Sequence, residues 1–303
     1  MKRFLGLTRR NLLVYFKDVQ AVLFSMLTSI ILFVLYLLFL RQTYVDSIKD
    51  QAAALGDLVK NKDIDLFTSG LLLSGLMGSS AITVSYHTLT TMVRDRERRI
   101  DYDIAATPIR RWQIVLSYFT ASVLSAILMT TAILTVGLVI LCSSGDPCLS
   151  AASAAKLYAI TVLAAVSATA LFMIPVLFFQ STSASGAFFG LLSAAAGFVI
   201  GAFMPISTFS RRVQTVCGLF PGTGVTWLYR RTLLKGILKH MDEGIGGLDG
   251  GAFARGLEDT FCPPVRLLGT DLTVRGVVVY VLAVAAVCVA IICILFPKVY
   301  KRK

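Results

Sequence analysis

The sequence predicts an all-α integral membrane protein of six transmembrane helices with both termini in the cytoplasm. Three observations carry that expectation. Hydrophobic residues make up 56% of the 303-residue chain and charged residues 15%, at a mean hydropathy of +0.77, where a soluble domain carries about 25% charge. The stretches free of charge are long enough to cross a bilayer. The basic residues gather in alternate short segments between those stretches. The net charge of +12 therefore reads as lysines and arginines facing anionic lipid, and no nucleic-acid partner is expected.

The first eighteen residues predict an amphipathic interfacial helix. Arg3, Arg10 and Lys17 recur every seven residues, as do Leu5, Leu12 and Val19, with Phe16 beside the last. Basic and apolar faces then lie side by side, suited to the inner leaflet. The first span follows at about 19–40, 22 residues without Asp, Glu, Lys or Arg, or about 33 Å of helix. A basic start before an apolar run also describes a signal peptide. This run is longer than such a peptide needs, and the RQTYVDSIKD after it has no small-x-small cleavage pattern, so an uncleaved span is expected.

Spans two and three are expected at about 66–93 and 112–141. Leu157 to Ser210 holds 54 residues without a formal charge, about 80 Å if helical and too long for one crossing of a roughly 30 Å core. It must fold back, and the polar run Gln180 to Ser185 is the turn, giving spans four and five at 157–179 and 186–206. Pro175 should kink span four, with the freed carbonyls satisfied by neighbours. In span five, Gly186, Gly190, Gly197 and Gly201 form two small-xxx-small pairs that allow close helix packing, within the chain or against a second copy. The sixth span is expected at 276–296.

Orientation follows from the short loops. With the N-terminus inside, residues 1–18, 94–111, 180–185 and 297–303 carry fifteen basic residues against five acids, while loops 41–65 and 142–156 carry five against six. The nine basic residues of segment 207–275 do not count, because long loops translocate largely regardless of charge. In this topology Cys142, Cys148, Cys217 and Cys262 lie outside, where Cys142 with Cys148 and Cys217 with Cys262 are candidate disulfides or free thiols. Cys288 and Cys293 lie within the sixth span as apolar packers.

Several chemistries are excluded. The two histidines, His87 and His240, lie far apart and without a carboxylate cluster, so no zinc-protease motif exists. Gly218 to Thr226 resembles a phosphate loop but lacks its lysine, and no G-x-S-x-G elbow occurs. None of the spans contains an Asp, Glu, Lys or Arg, whereas carriers driven by ions often need one at membrane depth. His87, near the inner end of span two, suits interfacial hydrogen bonding better than proton transfer. Uphill transport would need energy from another chain.

One segment breaks the avoidance of charge. From Arg94 to Arg111 there are six arginines and four acids. The positive-inside rule explains the arginines but not Asp95, Glu97, Asp101 and Asp103 interleaved among them. On a helix, Arg96, Arg99 and Asp103 fall at i, i+3, i+7, with Ile100 and Ile104 on an adjacent face, an arrangement suited to docking a partner. Pro108 ends that helix by disfavouring helical geometry at Thr107. Arg110, Arg111 and Trp112 then meet the headgroups.

The run Asp95 to Arg99, followed by Ala106-Thr107-Pro108 and Arg111-Trp112, resembles the first cytoplasmic loop of ABC-2 family permeases, the membrane subunits of ATP-binding-cassette exporters. Their loop reads acid–Arg–Glu, Gly-Thr, an apolar pair, Thr-Pro and Arg-Trp. Here Arg99 and Ile100 stand where Gly-Thr is usual, and Ala105-Ala106 is the smaller apolar pair. Gly201 to Ile206, Gln214, Phe220-Pro221 and Arg230 or Arg231 resemble the family's region after span five. The resemblance implies short helices dipping back from the outer face within 207–275, with the Gly-rich stretch 240–264 outside the pattern, and one membrane domain over 1–303.

It also implies that 94–111 holds a short cytoplasmic coupling helix. Arg94, Asp95, Arg96, Glu97, Arg98, Arg99, Ile100, Asp103, Ile104, Thr107 and Pro108 would meet an ATPase, which the N-terminal connecting helix would approach too. The expected protein is a permease subunit, not itself an enzyme. It would sit in a bacterial cell membrane with a second permease copy or paralogue and cytoplasmic ATPases that bind ATP and Mg, and export a drug, lipid-like or other amphipathic molecule. Two rivals are a self-contained carrier or channel and an enzyme with an outer site among Arg230, Arg231, His240, Asp242 and Glu243.

Overall fold

The computed structural model describes residues 2–52, 59–245, 249–267 and 269–299, and is almost entirely helical. Six helices are long and apolar enough to cross a membrane. Helix α1 (Lys2–Lys17) is followed by α2 (Val19–Leu35), which continues through a π-helical turn at Tyr36–Leu40 into α3 (Arg41–Ala52). Next come α4 (Asn61–Glu97), the short α5 (Ile100–Ala106), α6 (Arg111–Ser144), α7 (Ala151–Val176) and α8 (Thr182–Val199). The remaining helices are α9 (Arg211–Gly218), α10 (Pro221–Ile245), α11 (Ala252–Phe261) and α12 (Val274–Val299), with a two-residue antiparallel ladder of β1 (Arg266–Leu267) and β2 (Thr270–Asp271) before α12.

Helix α4 is the hub. Its most apolar stretch is 94% buried, against 20% for α2 and 17% for α8, so α2 and α8 turn most of their surface outward. The side chains of α4 are small where neighbours press closest. A Cβ on Gly78 would lie 2.0 Å from Thr226 Oγ1 on α10. Ser80 Oγ donates to Ser29 Oγ at 2.9 Å, and Tyr86 bonds Ser185 Oγ at 2.8 Å. Hydroxyls that find partners between helices tie them together where water is absent.

Helix α10 runs antiparallel to α4. Gly78 faces Thr226, Gly70 faces Leu234, and His240 Nε2 stands 3.9 Å from Asp63 Oδ1. Helix α10 thus starts near the midpoint of α4 and rises to its first turn. A 25-residue helix is longer than the short helices expected there. Arg230 interrupts its apolar pattern, but its guanidinium is buried and donates to Phe261 O at 2.7 Å, Gly201 O at 2.9 Å and Ser74 Oγ at 3.3 Å.

Five other expectations are corrected. The first span does not stop at 40, because Tyr44, Val45, Ile48 and Ala52 of α3 give the polar-looking 41–52 a buried face. The second span's helix does not stop at 93 but runs to Glu97, because Arg94, Asp95 and Arg96 after it are paired with other parts of the fold. Pro175 lies in the last turn of α7, too near its end to kink the span. Span five ends at Val199, and Gly201 sits beyond it at φ +71°, a left-handed turn that glycine adopts without strain. Gly197 makes room for the Phe203 ring, whereas a Cβ on Gly186 or Gly190 would meet nothing within 4 Å. The four glycines therefore form no single packing face within the chain. Of the two states open to the outer cysteines, Cys142, Cys148, Cys217 and Cys262 are free thiols, the first two exposed and the last two buried.

Candidate functional site

The charged segment folds as two unlike halves. Arg94, Asp95, Arg96 and Glu97 complete α4, and each binds a different element. Arg94 pairs with Asp18 between α1 and α2. Asp95, only 4% exposed, receives both guanidinium nitrogens of Arg10, Nη2 at 3.0 Å from Oδ1, and the Tyr118 hydroxyl of α6 at 2.6 Å. Arg96 is buried and donates to Leu177 O at 2.6 Å and Phe179 O at 2.7 Å. These carbonyls lie just past the end of α7, where no further helical turn exists to satisfy them. Glu97 accepts from Thr182 Oγ1, at the start of α8, at 2.7 Å.

The docking face read from i, i+3, i+7 spacing is therefore not formed. Arg99 adopts φ 60°, ψ 14° and breaks the helix, so Arg96 and Asp103 lie on different helices. This is the position where the resembled loop carries glycine, and the left-handed conformation is what glycine supplies most cheaply. Beyond the break, Ile104 is buried and Ile100 half-buried, seating α5 on the bundle, while Tyr102 and Asp103 face outward. Thr107 Oγ1 donates to Ile104 O at 2.6 Å and closes the helix before Pro108. Arg98, Arg99, Thr107 and Pro108 are exposed as well. Sequence reasoning missed Tyr102, 60% exposed on α5, and missed Tyr118 as a partner of Asp95.

Helix α1 braces this assembly. Its buried residues are the polar Thr8, Asn11 and Tyr15, while Leu5 and Leu13 are exposed and Leu7 and Phe16 pack partly against the bundle. Arg3 donates to Pro108 O at 3.1 Å. Arg10, expected at the headgroups, is committed to Asp95 instead, and that bond raises its pKa. Lys17, Arg110, Arg111 and Trp112 are exposed, and Arg111 also donates to Pro297 O at 3.1 Å.

Two nearby carboxyls are shifted in opposite senses. The Asp18 carboxyl is held below the usual carboxylate range, first by the Ala21 backbone N–H and then, against a smaller cost of burial, by Arg94. Burial pushes the Asp101 carboxyl up, more than Arg96 and neighbouring N–H groups lower it. Asp101 lines a cavity of about 430 Å³ beneath α5.

The other polar candidates do not converge. Among the described residues no group of three His, Cys, Asp or Glu could hold a metal ion. His87 packs against the Phe189 ring, centroids 4.4 Å apart, and its Nε2 is buried without a hydrogen-bond partner. In segment 207–275, Arg230 is spent on two carbonyls and Ser74 Oγ, while Arg231 pairs with Glu258 and Lys239 with Glu243. No nucleophile with an adjacent base is assembled among them.

The fold and site together define a multi-pass helical membrane protein whose charged segment 94–97 is paired with other parts of the fold. The family model for the ABC-2 type transporter matches residues 2–226, about three quarters of the chain, and the chain belongs to that family. It is the permease component of an ABC-type transporter, and membership implies association with ABC ATPases. The match covers α1 to the first turn of α10. No curated protein matches the sequence.

Proposed function

We propose that this chain is the membrane half of an ATP-driven exporter in the bacterial cytoplasmic membrane, with both termini inside. A separate ATPase binds ATP and Mg and docks on α5. A second copy or paralogue completes the pathway, and an amphipathic molecule crosses between the halves. One observation carries the reading: an outward-facing Tyr102–Asp103 surface sits on a helix that follows residues 94–97, whose contacts reach four other elements. A push on α5 is then delivered at once to α1, α6 and the α7–α8 turn. Packed side chains and hydrogen-bonded, ion-paired networks of this kind carry coupling between distant sites.

Purification of the chain from its native membrane tests this. An ATPase with Walker motifs should co-purify, and Asp103→Arg should release it while leaving the permease folded. Retention of that ATPase by the variant, or its absence from the wild-type preparation, would refute the docking assignment.

A further inference from the structure

The cavity beneath α5 is not consumed by the contacts that hold the helix. It lies between α5 and the inner ends of α4, α6 and α12, and its volume is about 430 Å³, within the roughly 300–1,000 Å³ of small-ligand sites. Its wall is divided. Ile104, Ile114 and Phe296 lie on the apolar part, and the polar part holds Arg99, Arg111 and Asp101 beside Arg96 and Glu97, which are already bonded to the α7–α8 turn and Thr182. Asp101 lines it, and one oxygen of its carboxyl, Oδ1, is buried without a hydrogen-bond partner, an arrangement that costs free energy. Arg99 and Arg111 are exposed at the same cavity, and Trp112, beside Arg111, is exposed as well, as expected of a residue at headgroup depth.

We infer that this cavity binds an aminophospholipid of the inner leaflet, its primary ammonium on Asp101, its phosphate between Arg99 and Arg111, and the start of its acyl chains against Ile114 and Phe296. Charge complementarity selects this occupant. A purely anionic lipid would leave the Asp101 oxygen unpaired and repelled. A choline lipid has no N–H to donate to it. A bound lipid would wedge α5 against the bundle and so tune how firmly the docking helix is held. The inference rests on the proposed function only for the side of the membrane on which α5 lies. ATPase docking and lipid retention are separate readouts, and either can fail alone.

The test is native mass spectrometry of the purified full chain, delipidated and offered an equimolar mixture of phosphatidylethanolamine, phosphatidylcholine and phosphatidylglycerol. Phosphatidylethanolamine should be retained about tenfold over both others, the equivalent of one charge-assisted hydrogen bond. Asp101→Asn should abolish that preference, and Arg111→Gln should weaken retention of all three. Free phosphoethanolamine at equal concentration should not displace the lipid; displacement would overturn the acyl-chain contacts. Equal retention of the three lipids, retention of none, or an unaltered preference in Asp101→Asn overturns the site. Should the variants fail to fold, a photoactivatable phosphatidylethanolamine on the wild-type protein decides it. Label within residues 99–118 is expected, and label confined to α2 and α8 refutes it.

Discussion

Asp95 offers the sharpest energetic test of the inner-end assembly. Its carboxylate is 4% exposed and accepts from Arg10 and Tyr118, whereas the Arg10 side chain keeps 31% exposure. Removing one partner of a fully buried pair costs about 3–5 kcal/mol. Arg10 can recover part of its hydration, which lowers the expected cost of Asp95→Leu to about 2–3 kcal/mol. Arg10→Met leaves the deeper charge unpaired and should cost about 3 kcal/mol. The double variant removes both charges and should recover about 2 kcal/mol of the summed losses, the interaction energy of a contacting pair. Unfolding by SDS in mixed micelles, followed by helicity, reads all four corners of the cycle. Losses that add to within about 0.5 kcal/mol would show that Arg10 and Asp95 do not act as a pair, and the bracing of α4 by α1 would fall with them.

Further outcomes follow from single contacts. Arg99→Gly should stabilise the protein by up to about 1 kcal/mol, because relief of the left-handed conformation outweighs the added chain freedom; the same unfolding assay measures it. Gly78→Ala should destabilise by about 1–3 kcal/mol through overpacking on Thr226, and Thr226→Ala added to it should restore more than half of the loss. Gly186→Leu and Gly190→Leu should leave monomer stability unchanged, since both positions open onto free space, while weakening any dimer that uses α8, as size-exclusion with light scattering would show. The two shifted carboxyls give opposite pH signatures. The lowered pKa of Asp18 supplies stability above its ordinary range, near pH 4, that is lost as pH falls through the lower folded value, so Asp18→Asn should flatten the acid limb of the melting curve. The raised pKa of Asp101 supplies stability at low pH that is lost as pH rises through the folded value, so Asp101→Asn should raise the melting temperature of lipid-free protein at pH 7 and not below pH 4.

The six apolar helices were legible in the sequence because a bilayer admits few alternatives to long charge-free helices. Their ends were not, because charge was read as a signal for water. Arg94 to Glu97 and Arg230 are charged yet paired within the fold, and nothing local distinguishes such residues from solvated ones. The split of the coupling segment was visible only as a mismatch, Arg99 where the resembled loop carries glycine, and its meaning needed the backbone angle. Gly201 looked like the last member of a helical stripe because spacing cannot show where a helix has stopped. The burial of α3 and α10 depends on contacts more than a hundred residues away, such as Tyr44 Oη with Phe203 O at 3.2 Å, which no pattern within the segment contains.

Photo-crosslinking from position 102 tests the central claim most directly. With benzoylphenylalanine in place of Tyr102, the full chain in its native membrane should form a crosslink to an ATPase carrying Walker motifs, and the yield should fall when Asp103→Arg is added. A crosslink to lipid alone, with the same ATPase captured instead from a probe at exposed Val139 near the opposite end of α6, would contradict both the docking surface and the orientation built on it.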